Sequence, residues 1–479
     1  MRGSRSRFSA IASLAIVALT IPGGTSLAGH SSFHATVSGE AAATDNVFGA
    51  SQNAEADLSF TVRPGGLFGY DGSRMSHDVS LEAEVIEFLA HSDAPSISLR
   101  TAASSRYTTS RYTTLTTTMG ASNGVISALS ARGSPDQTSL IVTPAGRVDL
   151  IQGDASEAFS WSSGRDLTIS QTLFGRASRS DGNEDDLAVG AIPTISKSLE
   201  AGVGLGVDRS FRRGDSLSLE LGASVLRLEV DADPLAVAGS RLDRQLNPRG
   251  RVAWRHDFSR AWSGTIDVGA VYVHPYGTDP DNLDQQLQDG IFPVVGGALA
   301  YTEIWGRAAL QVRRDITPNL LLAQNTVNDT AAVTLAMPLP WLEDGRRRPR
   351  LIALGSFGCS RTQLIDSDST VAGSFVVARL DLGVGYSPRP GFTYGLRYEL
   401  FRQSGDDTAD MAIQGFYRNT LSFTFSIRYP DRVAGGDIQR RRSNSVRADG
   451  KDLVPIGVDP GSGDTLERGG GVEGGGGDE

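Results

Sequence analysis

From Ser32 onward apolar and polar residues alternate with a period of two, the mark of strands that have one apolar and one polar face. Ala201, Val203, Leu205, Val207 and Phe211 fall on one face, with Gly202, Gly204, Gly206, Asp208 and Ser210 on the other. After Arg212-Arg213-Gly214-Asp215 a second run sets Leu217, Leu219, Leu221, Ala223 and Val225 against Ser216, Ser218, Glu220, Gly222 and Ser224, so the two read as a hairpin. At Val225-Leu226 the phase shifts, and Leu226, Leu228 and Val230 become the apolar set, as a bulge or the rim of a barrel produces. Similar runs cover 33–43, 54–62, 79–85, 252–258, 262–272, 376–386, 392–400 and 421–429. The Thr-rich stretch 96–120 reads as one bent strand or two. No amphipathic helix of comparable length is evident, so the expected fold is all-β with about 16–18 strands.

Alternation alone fits a soluble β-sandwich as well as a closed barrel. The connections discriminate better. Ser163-Gly164-Arg165, Ser259-Arg260-Ala261 and Ser387-Pro388-Arg389-Pro390-Gly391 are tight, whereas 180–186, 231–246, 279–290 and 404–410 are longer and acidic. Short turns on one side and long loops on the other are expected of an outer-membrane barrel, and a sandwich has no reason to sort them. Aromatic positions agree: Phe392, Tyr394 and Tyr398 share a face with Leu396 and Leu400, Tyr386 ends the preceding apolar face, and Trp262 and Tyr272 bracket another strand. Rings near strand ends suit interfacial girdles; taken singly, each also fits an ordinary β-core. A total aromatic content of 7% is modest for such a barrel. The reading is a closed antiparallel transmembrane β-barrel over 29–430, its apolar face against lipid.

The other face then lines an interior. Setting Tyr386 opposite Phe392 puts Asp381 opposite Arg397 and Arg379 opposite Glu399, two cross-strand pairs of opposite charge. Arg251, Arg255, Asp267, Glu220 and Arg428 project inward by the same parity. These residues line a water-filled path or form a self-neutralising ladder that fills it, since paired charges present little net field. A mixed charged, Gly- and Ser-rich lining suits water and neutral or weakly charged hydrophilic solutes. In the last strand Leu421, Phe423, Phe425, Ile427 and Tyr429 alternate with Ser422, Thr424, Ser426 and Arg428. Phe423, Phe425, Ile427 and Tyr429 resemble the terminal signal that the barrel-assembly machinery recognises in outer-membrane proteins. The small position is Thr420 or Thr424 rather than Gly, and the strand is not at the chain end.

The two ends of the chain belong to other classes. Arg2, Arg5 and Arg7 precede an uncharged apolar run (8–21), then Pro22, Gly23, Gly24 and Ser26-Leu27-Ala28, the order of a secretory signal peptide over 1–28. The apolar run is too short for a transmembrane anchor. From Asp431 the composition becomes Arg440-Arg441-Arg442 followed by a Gly-rich acidic run, which cannot bury enough apolar surface to order itself and is expected to be a disordered periplasmic tail over 431–479. With 45 Lys+Arg against 55 Asp+Glu the net charge is −10, so no nucleic-acid partner is expected. Cys359 is the sole cysteine of 479 residues, which excludes a disulfide framework and a Cys-based zinc site; it reads as a small packed or lipid-facing residue. His30, His34, His77, His91, His256 and His274 have no metal-ligand spacing, and no nucleotide fingerprint or nucleophile elbow appears. No catalytic residue, metal or cofactor is expected.

Three segments together resemble the β-barrel porins found with bacterial exopolysaccharide export systems: "TDNVFGA" (44–50), "GRVDLIQGDASEAFSWSSGRDLTISQTL" (146–173) and "RRDITPNLLLAQ" (313–324). The resemblance covers most of 33–429 and rests on strand-and-turn wording. It implies an outer-membrane barrel that lets polysaccharide out, with periplasmic export components and the polysaccharide as partners beside outer-membrane lipid and lipopolysaccharide. It transfers no individual functional residue. The alternatives are a general or nutrient-diffusion porin, a non-channel structural or adhesive barrel, and a secreted soluble β protein.

Overall fold

The computed structural model describes residues 29–47, 54–91, 96–126, 148–164, 166–182, 195–211, 214–231, 241–276, 289–303, 305–319, 324–343, 349–365, 371–389, 391–405 and 415–429. The segments read as a signal peptide and as a tail lie outside the described residues.

Eighteen strands follow in order. They are β1 (Gly29–Thr44), β2 (Asp57–Gly72), β3 (Met75–Phe88), β4 (Ser96–Ser110), β5 (Thr113–Ile126) and β6 (Val148–Ser163). Then come β7 (Leu167–Gly182), β8 (Ile195–Ser210), β9 (Asp215–Asp231), β10 (Arg241–Asp257), β11 (Trp262–Pro275) and β12 (Gly290–Glu303). The last six are β13 (Gly306–Asn319), β14 (Gln324–Glu343), β15 (Pro349–Ile365), β16 (Val371–Arg389), β17 (Phe392–Gly405) and β18 (Phe416–Tyr429). Each pairs antiparallel with its sequence neighbours, and β18 pairs back onto β1 from Ala35↔Tyr429 to Thr44↔Thr420, so the sheet closes and leaves no edge. Asp45 locks the top of that seam by accepting hydrogen bonds from the Asn419 backbone N–H and Nδ2, both 2.7 Å.

The Thr-rich stretch resolves into two strands, β4 and β5, joined by the two-residue turn Arg111-Tyr112. The connections sort by end. At the end that holds Gly29 and Tyr429 they are two to five residues long, and at the other end seven of the nine have seven residues or more. Gly214 and Gly391 occupy short turns at φ of 79° and 80°, a left-handed conformation that other residues adopt only with strain. The expected loop 231–246 is too long: β10 already begins at Arg241, because its first turn alternates weakly.

Which face is inside follows from crowding. Side chains on the convex outer surface diverge, and those on the concave inner surface converge. In β9 Leu217, Leu219, Leu221 and Val225 are 42–52% exposed, so they lie outside. Leu226 and Leu228, at 1% and 2%, lie inside with Ser224 and Glu220. No register shift occurs between β9 and either neighbour, so the change of phase at Val225-Leu226 is not a bulge. The strand simply runs on past the apolar belt. Crossing a hydrocarbon layer takes about 9–11 residues of tilted strand, and these strands have 14 to 20.

Candidate functional site

The inward face carries two charged clusters, with a stretch richer in hydroxyls between them. The first spans β16, β17, β18, β1, β2 and β3. Arg379 Nη2 donates to Glu399 Oε2 at 2.9 Å, and Arg418 Nη2 donates to Glu399 Oε1 at 3.3 Å. Arg397 Nε donates to Asp381 Oδ1 at 2.9 Å, and Ser356 Oγ donates to Asp381 Oδ2 at 3.2 Å. Arg379 also lies 3.0 Å from Asp381, and Arg397 lies 3.5 Å from Glu399. Across the closing seam Arg63 pairs with Glu84 and reaches Glu40 at 3.3 Å, while Ser98 Oγ donates to Glu84 at 3.3 Å. Four guanidinium groups thus meet four carboxylates. The cluster is neutral, and Glu399 and Arg418 are each only 3% exposed, so their charges depend on one another.

The expected pairings and the expected register part company here. Arg379 meets Glu399 and Arg397 meets Asp381, but Asp381 stands opposite Glu399, Gly383 opposite Arg397, and Tyr386 opposite Tyr394 rather than Phe392. β16 runs on three residues past Tyr386 to Arg389, and a one-residue bulge there takes one back, so the register moves by two. Long side chains lean along the strand and complete the pairs diagonally.

The second cluster spans β9 to β13. Arg251 pairs with Asp267, Arg249 lies 3.8 Å from Glu220, Arg255 lies 3.4 Å from Asp257, and Arg313 pairs with Asp315. Glycine makes room for it. A Cβ on Gly269 would meet the Gly250 carbonyl at 2.2 Å, and one on Gly296 would meet Asp267 Oδ1 at 2.3 Å. Arg251, Asp267 and Glu220 therefore sit where the wall has no side chains to spare. Arg428 lies inward near the short-turn end of β18, apart from both clusters, opposite Thr36 of β1.

Between the clusters β4 to β8 present many hydroxyls and glycines inward, together with a charged row through the register pairs Asp154↔Arg176 and Arg176↔Glu200. Thr118 bonds Ser156 at 2.7 Å, Ser162 bonds Thr168 at 2.8 Å and Ser178 bonds Ser198 at 2.7 Å. Towards the long connections the inward face turns apolar on several strands. Phe375 and Val377 pack with Phe401, and Ile86 and Phe88 pack with Val47. Phe401 stacks on Phe416 at 5.5 Å, and the Arg418 guanidinium lies 5.3 Å from the Phe401 ring. Sequence parity placed Arg379, Asp381, Arg397 and Glu399 on one face but missed Arg418, Glu40, Arg63 and Glu84; an inward arginine on a strand flanked on each side by a strand with an inward glutamate was the available signal.

Outside, Phe423, Phe425, Ile427 and Tyr429 face away from the barrel on the strand that closes it, and Cys359 lies on the same outward face of β15 as Phe357. Trp161, Trp254, Trp262 and Trp305 are all outward at the short-turn end, 39–54% exposed. Among the described residues no group of three His, Cys, Asp or Glu is placed to hold a metal ion.

No protein-family model matches the chain, and no curated protein matches it. Solved structures with some likeness include OccAB3 of Acinetobacter baumannii, at 10% identity over 83% of this chain and 99% of that one, with a TM-score of 0.42. OpdK of Pseudomonas aeruginosa, solved with vanillate, matches at 12% identity over 83% and 99%, with a TM-score of 0.42. The ferric citrate transporter FecA in its unliganded form matches at 10% over 83% and 78%, with a TM-score of 0.44. At that likeness the solutes named for those proteins say nothing of this one.

Proposed function

We propose that this chain is an outer-membrane porin that passes water-soluble solutes of low net charge and performs no chemistry on them. One observation carries the reading: at the depths where the outward face is apolar, the inward face is mostly charged, hydroxyl-bearing, glycine or alanine, with single apolar exceptions such as Leu67, Ile352 and Leu354. That is the solvation of a cylinder with lipid around it and water within. Barrels of 16–18 strands are wide enough to enclose an aqueous path. Because the first charged cluster balances four cations against four anions, it marks a path without strongly selecting an ion. The signal peptide over 1–28 would export the chain, the barrel-assembly machinery would read Phe423, Phe425, Ile427 and Tyr429, and outer-membrane lipid with lipopolysaccharide would surround the belt.

The finer reading is an exit pore for a secreted exopolysaccharide, working with periplasmic export components; its support is the resemblance of 44–50, 146–173 and 313–324. Purified protein in planar bilayers should give a steady conductance with similar anion and cation permeability. An absence of conductance overturns the channel and favours a non-channel structural or adhesive barrel, for which the inward apolar cluster of Phe375, Val377 and Phe401 is the supporting observation. Deleting the chain should reduce surface polysaccharide; an unchanged amount removes the export reading and leaves a general or nutrient-diffusion porin.

A further inference from the structure

One sector of the outer surface breaks the apolar rule. Four to six residues in from the short-turn end, fourteen of the strands present only apolar, aromatic or glycine positions outward. On β4 to β7 the corresponding positions are Ser105, Thr117, Glu157 and Gln171. Ser105, Thr117 and Glu157 form one continuous row through the register pairs Ser105↔Thr117 and Thr117↔Glu157, and the row continues into Leu173. Glu157 lies as far in as Leu221 does on β9, is exposed, and makes no hydrogen bond or ion pair with another of the described residues.

A bare carboxylate against acyl chains at that depth is unfavourable, because nothing there replaces its hydration. On the long-connection side of that row the next two outward rows are mostly small, Ala103, Ala155 and Gly175 beside Met119, then Ala121 and Gly153, while Leu115 and Phe159 flank it on the other side. Small residues let two membrane-embedded surfaces approach closely, and hydroxyls and amides between them then bond across the contact. The patch also complements itself. It holds an acceptor-only group, Glu157, and donors in Gln171 and Thr117, while the Ser105 hydroxyl already pairs with His77 Nδ1 at 2.7 Å; a lipid phosphate would only add a second anion beside Glu157. An interface between identical copies uses the same patch on both sides.

We propose that the outward face of β4–β7 is an interface with a second copy of this chain, in which Glu157 of one protomer accepts hydrogen bonds from hydroxyl or amide groups of the other. The proposal rests on the reading that the outer face meets lipid. Its test uses full-length protein in isolated outer membranes, with Cys359→Ser as background and a single new cysteine at Ala155→Cys on β6 or, across the cylinder, at Leu335→Cys on β14. Oxidation should couple Ala155→Cys into a species of twice the chain mass and leave Leu335→Cys monomeric. Glu157→Leu should lower the oligomer fraction at least tenfold in mild detergent, with the heat-modifiable migration of a folded barrel retained. Membrane-bound protein in which neither cysteine couples, both couple equally, or Ala155→Cys couples only to a different protein overturns the interface and leaves the lipid reading intact. An oligomer unchanged by Glu157→Leu also overturns it. Protein that extracts without detergent removes the lipid reading, and the interface with it.

Discussion

Along β9 the outward row changes from Leu217, Leu219, Leu221 and Val225 to Arg227 and Glu229, while the inward row changes from Ser216, Ser218, Glu220 and Ser224 to Leu226 and Leu228. Backbone register does not change at all. The two lengths of one strand thus obey opposite solvation rules. Near the short turns, water is inside and the apolar medium outside. Towards the long connections the exterior holds ion pairs, such as Arg227 to Glu229 at 3.0 Å and Lys197 to Glu229 at 3.1 Å, and the interior is packed, with Leu226, Phe375 and Val377 buried beside polar residues such as Gln245, Thr326, Thr362 and Gln403. That is how a soluble β protein is built. Trp161, Trp254, Trp262 and Trp305 mark the same asymmetry, since they stand outward at the short-turn end. One cylinder carries the surface of a membrane protein at its base and that of a water-soluble one at its crown.

The contrast is broken most severely at Phe375, which is 1% exposed and packs with Val377 and Phe401 inside the crown. Truncating a buried ring costs about 3–5 kcal/mol. Phe375→Ala should lower the stability measured by denaturant titration in vesicles by that order. A loss below about 1 kcal/mol would mean that the crown is not packed in the way a core is.

A smaller effect separates the two zones on the outer face itself. Leu221→Arg puts a cation in the apolar belt, where the cost is about 2–4 kcal/mol near mid-depth. Arg227→Leu, six residues further along the same face, removes a half-exposed cation whose pair with Glu229 is worth at most about 1 kcal/mol. Equal penalties for the two variants would erase the boundary drawn between Val225 and Arg227.

How much of this was legible in the chain depends on which solvent a stretch meets. Alternation at 201–225 gave faces and hairpin together, because one side of the wall is lipid-like and the other wet along that length. The phase shift at Leu226 was equally visible, but its meaning needed the strand length: a residue pattern records a change of environment, not whether the backbone or the surroundings changed. The register between β16 and β17 was misjudged by two because the strand carries on through Pro388 to Arg389 with a bulge, where a five-residue turn had seemed natural. Arg63 and Glu84 stayed hidden as partners, since Pro64, Gly65 and Gly66 dilute the alternation beside Arg63. Arg418 lies three residues ahead of the clear run that begins at Leu421, in the crown, where inward no longer means polar.

The least expected change is at the crown's rim, where His91 tests whether the two ends also differ in their response to pH. Its Nδ1 lies 2.7 Å from Asp57 Oδ2 and its Nε2 lies 2.8 Å from Glu55 Oε2. Only an imidazolium donates from both nitrogens at once. The hydrogen bond to Asp57, with Glu55 adding to it, holds the His91 pKa above its ordinary value. The sign follows. A raised folded-state pKa contributes stability that is fully present below about 6.5, the value of free histidine, and fades as pH rises through the higher folded value. Asp57 Oδ1 meanwhile accepts from the backbone N–H of Leu58 at 2.7 Å and of Ala90 at 3.0 Å, so the carboxylate itself stays anchored. The wild type should exceed His91→Gln by roughly 0.2–1 kcal/mol at low pH, the range for partly exposed pairs, and the two should converge as the solution becomes alkaline. Hydrogen exchange at the Ala90 amide reads this locally, while an amide of the belt such as Leu221 should not respond. A difference that widens with rising pH would mean that His91 is neutral between its two carboxylates.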